Sequence, residues 1–386
     1  MRYEGIRMCD GKNHLEAGNG HGSFILILRY AFHHGNGDTP WESVVFASQD
    51  SVAYNRCLKF SWPRFSFPRH ADWWKIKQKE IFEVKIFMTG GTGFVGNALA
   101  EALVEKGFSV TILTRHASAQ KKGHEGTFVV EGDPRKRGKW QELLLDQDVV
   151  INLAGASIFQ RWNDRQKQII RESRVLTTQQ IVKILSLNPE KKIDLINASA
   201  VGYYGYHGDE IIDEGVPSGT DFLASVCREW EAVALNAKTP GSRVVLCRFG
   251  VVLGRQGGAL QKLLPLFQWG LGARLGTGKQ WFSWIHERDL VRIIIYLLEN
   301  RDREGPVNCT SPEPVRNEDL TRCLGKALKR PIVMPPVPGF VLRIALGGFS
   351  MTLLKGQRVI PKALKDDGFF FKYPELAGAL QDIVSG

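Results

Sequence analysis

From Val84 onward, short apolar runs alternate with longer amphipathic stretches. Val84, Ile86 and Met88 alternate into the turn Thr89-Gly90-Gly91, and Phe94, Val95, Ala98, Leu99 and Leu103 then recur at helical spacing. Strands are expected near 84–89, 109–114, 127–130, 148–153, 193–199 and 243–249, with helices near 94–106, 163–186 and 222–237. This alternation predicts an α/β fold, a doubly wound parallel sheet with helices on both faces. From about Gly254 the pattern changes to Gly-Pro loops and shorter helices. The core is therefore placed at 84–253 and a smaller C-terminal substrate lobe at 254–386, over the carboxyl ends of the strands. Residues 1–83 have little periodicity beyond Phe24–Phe32 and are read as an N-terminal extension of unassigned role: a partial domain, an appendage, or translated upstream sequence.

The turn at the end of the first strand carries glycines at GxxGxxG spacing, Gly90, Gly93 and Gly96. Placed between a strand and a helix, they predict a dinucleotide site and make the sheet Rossmann-type. Gly90 permits the tight turn, Gly93 lets backbone N–H groups approach a pyrophosphate, and Gly96 lets the helix pack on the strand. The helix N-terminus then favours the anion.

The second strand bears on which dinucleotide. Ser109–Thr114 ends in Arg115, and the loop after it carries Lys121 and Lys122 with no acid before Glu125. A carboxylate here would hold the ribose 2′-OH of NAD, whereas an arginine pairs with the 2′-phosphate of NADP. NADP is the expected cofactor. The alternative for Arg115 is a solvated loop cation.

Composition sets outer bounds. With 386 residues, 43% hydrophobic and 24% charged, the chain reads as a soluble globular protein. Its six cysteines are scattered without a CxxC pair, which argues against zinc or a disulfide framework and for a reducing, cytoplasmic setting. No apolar stretch reaches the length of a membrane span, and the N-terminus lacks the apolar stretch of a secretory signal. His33-His34 stands without further ligands at recognisable spacing, so no metal is expected. The net charge of +11 sits in small clusters such as Arg135-Lys136-Arg137, without any nucleic-acid-binding signature. A solvated surface, or a basic funnel for an anionic cofactor or substrate, accounts for it better than nucleic acid.

Two further segments carry candidate chemistry. Asp148–Gly155 (DVVINLAG) ends in small residues that leave room for a cofactor across the sheet edge. In the next helix Ile170, Arg174, Thr177 and Ile181 share one face, so Arg174 falls in a sheet-facing stripe. A cation there needs an anionic partner, either cofactor phosphate and ribose or a protein carboxylate.

TGGTGFVG (89–96), NLAG (152–155), RWN (161–163), SRVLTT (173–178), ASAVGYYG (198–205), RFGVVLG (248–254), WIHERDL (284–290) and GQRVIPKAL (356–364) together resemble one group. It is the atypical extended short-chain dehydrogenases/reductases, in the epimerase-family branch that is sugar-nucleotide-epimerase-like or cell-division-inhibitor-like. The likeness runs from about Val84 to the C-terminus and includes the branch's C-terminal extension. It implies that Gly90, Gly93, Phe94, Val95 and Gly96 lie at the pyrophosphate, and Thr114 and Arg115 at the adenosine 2′-phosphate. It further implies Leu153 and Ala154 along the ribose, Arg174 on the following helix, and Val252 near the nicotinamide. The implied partner is a small-molecule substrate, nucleotide-linked or not, and the oligomeric state is left open.

Catalysis carries over less completely. Short-chain enzymes use Tyr and Lys four residues apart, with Lys and cofactor lowering the phenol pKa so that Tyr exchanges a proton while hydride moves. No tyrosine here has Lys four residues later, and aligning Glu231 with the family's trailing glutamate puts Leu223 and Cys227 in those places. Ser199, or Ala200 if the register shifts by one, resembles the serine that bonds a substrate carbonyl. Tyr204 is the candidate proton donor, with packing in a βα turn as its alternative reading; Glu214 and His286 are also expected near the site. The functions in play are an NADP(H)-dependent oxidoreductase or epimerase acting on a carbonyl or hydroxyl substrate, and an NADP(H)-binding regulator or scaffold without turnover.

Overall fold

The computed structural model describes residues 84–116 and 126–385. The 1–83 extension, with Phe24–Phe32 and His33-His34, and the loop lysines Lys121 and Lys122 lie outside the described residues. Seven parallel strands form the central sheet: β1 (Lys85–Thr89), β2 (Ser109–Thr114), β3 (Thr127–Glu131), β4 (Val149–Asn152), β5 (Asp194–Ala200), β6 (Val244–Phe249) and β7 (Gly305–Cys309). Their spatial order is β7-β6-β5-β4-β1-β2-β3, with Ile86 of β1 level with Val110 of β2 and Val149 of β4. The order reverses between β1 and β4, which opens the crevice where doubly wound sheets bind ligands.

Period-2 alternation divides the strand residues between two cores. Ile86, Met88, Ile112, Ile151, Ile196 and Val245 pack with α1 (Phe94–Glu105) and the later helix Glu287–Glu299. Phe87, Leu113, Val150, Leu195 and Leu246 pack on the other face with α2 (Asp164–Leu187), α3 (Phe222–Leu235) and the 3₁₀ turn Lys139–Asp146. With both faces covered, the strands read as continuous apolar runs. Each fully buried Ile, Leu or Phe contributes roughly 1.5–3 kcal/mol.

The residues after β6 add α4 (Leu260–Gln268), α5 (Glu287–Glu299), α6 (Asn317–Ala327), α7 (Gly339–Leu346), α8 (Ser350–Leu354), α9 (Lys362–Asp366) and α10 (Leu376–Ser385). Leu260, Phe267, Trp284, Leu320, Leu324, Ala379 and Leu380 form a separate core there, joining α4, α6 and α10. Not all of this region lies apart, because β7 pairs with β6 at the edge of the central sheet and α5 packs on one face of it. The pattern reading lacked β7: its five residues, GPVNC, open on Gly-Pro and are too few to show alternation. Among the described residues no helix is long and apolar enough to cross a membrane.

One buried cation bolts the last helix of the core to the sheet. Arg243, just before β6, pairs with Asp194 at the start of β5 at 3.0 Å, the side chains being 6% and 2% exposed. Its guanidinium also donates to the carbonyls of Leu297, Asn300 and Arg303, closing the C-terminal end of α5. Arg243→Ala leaves Asp194 buried with the exposed Arg301 as its remaining ion-pair partner among the described residues and is expected to lower the unfolding free energy by about 3–5 kcal/mol in urea titrations. Arg301→Ala, which removes a largely solvated partner, should cost at most ~1 kcal/mol.

Candidate cofactor and substrate site

The glycine turn lies against the loop after β4. Gly90 has φ +72°, and a Cβ there would sit 2.7 Å from the Leu153 carbonyl carbon and 2.9 Å from the Ala154 nitrogen. Leu153 N–H donates to the Thr89 carbonyl at 3.1 Å and Gly93 N–H to the Gly90 carbonyl at 3.0 Å. A Cβ at Gly96 would collide with the Gly90 carbonyl, so α1 begins tight against the turn. Gly93 caps α1 with no side chain, and the first turn, containing Phe94, Val95 and Gly96, holds no acid. The positive end of a twelve-residue helix therefore faces the crevice without a protein counter-charge of its own.

The Phe94 side chain is otherwise engaged. Cβ atoms at Gly254 or Gly257 would strike its ring, so the loop after Val251–Leu253 closes over it as a glycine cup. What Phe94 offers an anion is its backbone N–H, while its ring fixes the loop. Val252 lies half-buried in that short strand, level with Ile285 in a parallel pair.

A polar ladder crosses beneath the crevice. Thr89 Oγ1 donates to Asn152 Oδ1 at 2.6 Å, and Asn152 Nδ2 donates to Asn197 Oδ1 at 2.6 Å and Thr178 Oγ1 at 2.8 Å. Trp230 Nε1 also donates to Thr178 Oγ1, at 2.8 Å. The ends of β1, β4 and β5 are thereby locked to α2 and α3. Thr114 and Arg115 stand at the end of β2, with Arg115 exposed. Arg174 donates to the carbonyls of Ala156 and Ile170 at 3.1 and 3.0 Å, lies 5.4 Å from the Trp230 ring, and touches the space beside Gly155, where a Cβ would be 3.0 Å from its Cζ. Burial pulls the guanidinium below its ordinary pKa, an effect that neighbouring Cys227 opposes. Among the described residues no carboxylate pairs with Arg174.

Ser199 and Tyr204 belong to a second network. Arg248 of β6 forks onto Glu231 of α3, Nε to Oε1 at 2.9 Å and Nη2 to Oε2 at 2.7 Å. Ser199 Oγ donates to Glu231 Oε1 at 2.6 Å, Arg248 Nη1 to the Tyr204 oxygen at 2.9 Å, and Tyr204 OH to Asn308 Oδ1 at 2.7 Å. Burial opposes the Arg248 charge, but the Glu231 carboxylate and the Tyr204 phenol hold it above its ordinary pKa. Burial pushes the Tyr204 phenol up to about 12, the opposite of what a proton donor at neutral pH needs. Tyr204 is fully buried and packs in the βα turn, with the Tyr203 ring edge-on to its own at 5.4 Å and 3.6 Å from the Arg248 guanidinium. Ser199, 3% exposed, spends its hydroxyl on Glu231 rather than on the crevice.

Leu223 and Cys227 stand beside Gly202 at the end of β5, where a Cβ would lie 3.3 Å from Leu223 Cβ and 4.0 Å from Cys227 Sγ. Burial, with Glu231 adding, pushes the Cys227 thiol up to about 12. Neither side chain exchanges a proton near neutrality. Glu214 is also held above its ordinary pKa by burial and accepts from the N–H groups of Asn308 and Ala363. Sequence reasoning used Glu231 only for alignment and missed Arg248, Asn197 and Asn308. The available signal was one charge of each sign inside an apolar helix stripe and an apolar strand, VVLCRF.

His286 is 1% exposed and caps α5, its Nδ1 accepting from Arg288 N–H at 3.0 Å while its ring stacks on Tyr373. Burial lowers its pKa from 6.5 to about 4, against the attraction of Asp382. Unfolded histidine takes up a proton near pH 6.5 and the folded one resists it, so stability is full above 6.5 and falls as pH drops through 4. Urea unfolding should show roughly 3 kcal/mol of this acid loss arising from His286. The slope between pH 6.5 and 4 should flatten in His286→Asn.

The NAD dependent epimerase/dehydratase family matches residues 86–309, and a domain of unknown function (DUF1731) matches 337–383. The Arabidopsis thaliana epimerase family protein SDR39U1 homolog, chloroplastic, is 40% identical over 314 residues, 80% of this chain and 88% of the relative. Bacillus subtilis epimerase family protein YfhF is 38% identical over 305 residues, 78% and 98% of the two chains. The crystal structure of human epimerase family protein SDR39U1 (isoform2) with NADPH superposes with TM-score 0.68 at 32% identity, over 78% of this chain and 100% of that one. A nucleoside-diphosphate sugar epimerase from Corynebacterium glutamicum gives 0.62 at 34% identity, over 78% and 58%.

Proposed function

The chain belongs to the NAD dependent epimerase/dehydratase family, and we propose that it binds NADP(H) across the carboxyl edge of its sheet as an oxidoreductase or epimerase. Its substrate is a small carbonyl or hydroxyl compound, nucleotide-linked or not, taken between the 84–253 core and the 254–386 lobe. The observation that carries the reading is the approach of Gly90 to the Leu153–Ala154 backbone beside an uncapped, acid-free helix start. A diphosphate laid there meets N–H groups of Gly93–Gly96 and the helix dipole. Support comes from the human relative crystallised with NADPH and from the nucleoside-diphosphate sugar epimerase of Corynebacterium glutamicum.

In this reading Arg115, with Thr114, takes the 2′-phosphate; no acid lies between Ser109 and His116 to compete for it. Leu153 and Ala154 line the ribose, Val252 lies toward the nicotinamide, and Arg174 supplies the cation beside Gly155 that the position of Cys227 lacks. When bound, the nicotinamide supplies or accepts hydride; the chain's own residues bind it, orient it and exclude water. The Ser199–Glu231–Arg248–Tyr204 chain then acts by holding the crevice floor. A second reading, an NADP(H)-binding regulator without turnover, is favoured by Leu223 and Cys227 standing where a proton-exchanging pair would be. We place the protein in the cytoplasm, in keeping with its free described cysteines.

Arg115→Ala should weaken NADPH binding by about 1.5–3 kcal/mol, the worth of a charged hydrogen bond, and leave NADH binding unchanged in nicotinamide fluorescence titrations. Equal loss for both would remove Arg115 from the 2′-phosphate site. With a panel of carbonyl compounds, the oxidoreductase reading expects substrate-dependent NADPH oxidation that is lost in Arg174→Ala. If Ser199 and Tyr204 exchange protons, Ser199→Ala and Tyr204→Phe lose it too; if they hold the floor, activity follows stability. Tight NADPH binding without oxidation across the panel would establish the regulator.

A further inference from the structure

Most of the cleft beside α6 is built from residues 318–336, between the two family matches, which end at 309 and resume at 337. We propose that this cleft is a docking site for an extended segment of another protein in which carboxylates alternate with apolar side chains. Its residues are not among those assigned to the cofactor above.

Two walls of different chemistry enclose about 670 Å³. One is the basic flank of α6: Arg322 and Lys326 lie one turn apart, and Lys329 and Arg330 continue the row past the helix end. Side chains so placed on a helix stand about 5–6 Å apart. The other wall is the run Pro331–Pro336, in which Ile332, Met334 and Pro336 line the cleft while Val333, 74% exposed, does not. That is the alternation of an extended chain, whose same-side residues recur every 6–7 Å or so, roughly the spacing of the cations opposite. The walls converge at Gly325, where a Cβ would lie 2.7 Å from Ile332 Cδ1.

Both walls carry groups without partners. Arg274 faces Glu318 at 3.9 Å and Arg322 pairs with Asp319, whereas Lys326, Lys329 and Arg330 form no ion pair among the described residues. Lys329 stands at φ +54°, just past the helix end, where glycine is favoured, so its ammonium is carried into the cleft at a conformational cost. Ile332, Val333 and Met334 make no backbone hydrogen bond among the described residues. Their run is nonetheless pinned at both ends, Arg330 N–H donating to the Gly325 carbonyl and Val337 N–H to the Arg274 carbonyl, each at 2.9 Å. Prolines at 331, 335 and 336 stiffen it, so little freedom is lost when a partner arrives. An unpaired apolar edge accepts a strand from another chain. The cations select carboxylates on one side of that strand, and Ile332 and Met334 select apolar side chains on the other. A second copy of this chain would bring like charges face to face, and a flat lipid surface would meet the rim of the cleft without filling it.

The test titrates the full chain into a capped, fluorescein-labelled octapeptide alternating glutamate and valine, read by fluorescence anisotropy. Saturable binding to the wild type should weaken roughly tenfold in Lys326→Glu and about threefold in Lys329→Gly, which removes a charge while relieving the backbone. An octapeptide alternating lysine and valine should bind the double variant Lys326→Glu, Lys329→Glu and not the wild type. NADPH affinity, read separately by nicotinamide fluorescence, should stay within about twofold in every variant, since these cations make no part of the cofactor site. No saturable binding to the wild type overturns the proposal, as does octaglutamate binding as tightly as the alternating peptide, which would leave a general polyanion site. So does binding to phosphatidylserine vesicles that Lys326→Glu abolishes while peptide binding is unchanged, which would make the face a lipid contact. Self-association in sedimentation velocity that the peptide does not displace and Met334→Asp abolishes would assign the cleft to a second copy and also overturns it. If Lys326→Glu fails to fold, Lys326→Gln takes its place.

Discussion

A carboxylate and a guanidinium share a dry site between α3 and β6, and much of the sheet's working edge depends on them. Glu231 and Arg248 have side chains 6% and 4% exposed. Dehydrating both is costly, and Coulomb attraction offsets that cost only where geometry is good and the remaining donors and acceptors are filled. Here they are filled: the two-point fork satisfies both carboxylate oxygens, Ser199 adds a third bond, and Tyr204 accepts from the remaining guanidinium nitrogen. The pair therefore fastens β5, β6, α3 and the turn after β5 at fixed angles, and through Asn308 reaches β7. An apolar pair would bury comparable area but would not fix direction in this way.

The neighbouring ladder of Thr89, Asn152 and Asn197 does the same for β1, β4 and β5 with neutral groups. Together the two networks give the crevice a rigid floor, while its rim is made of glycines and alanines whose main chain is open to a ligand. Floor and rim differ in residue type: side-chain hydrogen bonds below, bare backbone above. The tyrosine and serine that look catalytic by residue type, Tyr204 and Ser199, are members of the charged network.

Much of this was legible in the chain itself. Six strands and three helices emerge from apolar periodicity, because a sheet covered on both faces demands unbroken apolar runs and amphipathic helices demand a 3.6-residue repeat. The glycine turn was legible because Gly90 and Gly96 each face a backbone atom that forbids a side chain. β7 was not, being five residues long with proline second. The partners of Arg174, Ser199 and Tyr204 were not either: Tyr204 and Asn308 are 104 residues apart, and Thr89 and Asn152 are 63 apart. Pairings of that separation are set by strand order, which no local pattern encodes. A lone arginine within VVLCRF and a lone glutamate within an apolar stripe did signal buried charge, but not with which partner.

The ring of Phe94 seated in the cup of Gly254, Gly257 and Gly258 binds two distant stretches of sequence to a common fate. A methyl group added at Gly257 has no room while the benzyl group remains, so a larger residue there demands a smaller one at position 94. The two stretches should accordingly change together or not at all over evolutionary time, as a bolt and its socket do, whatever compound the protein ultimately handles.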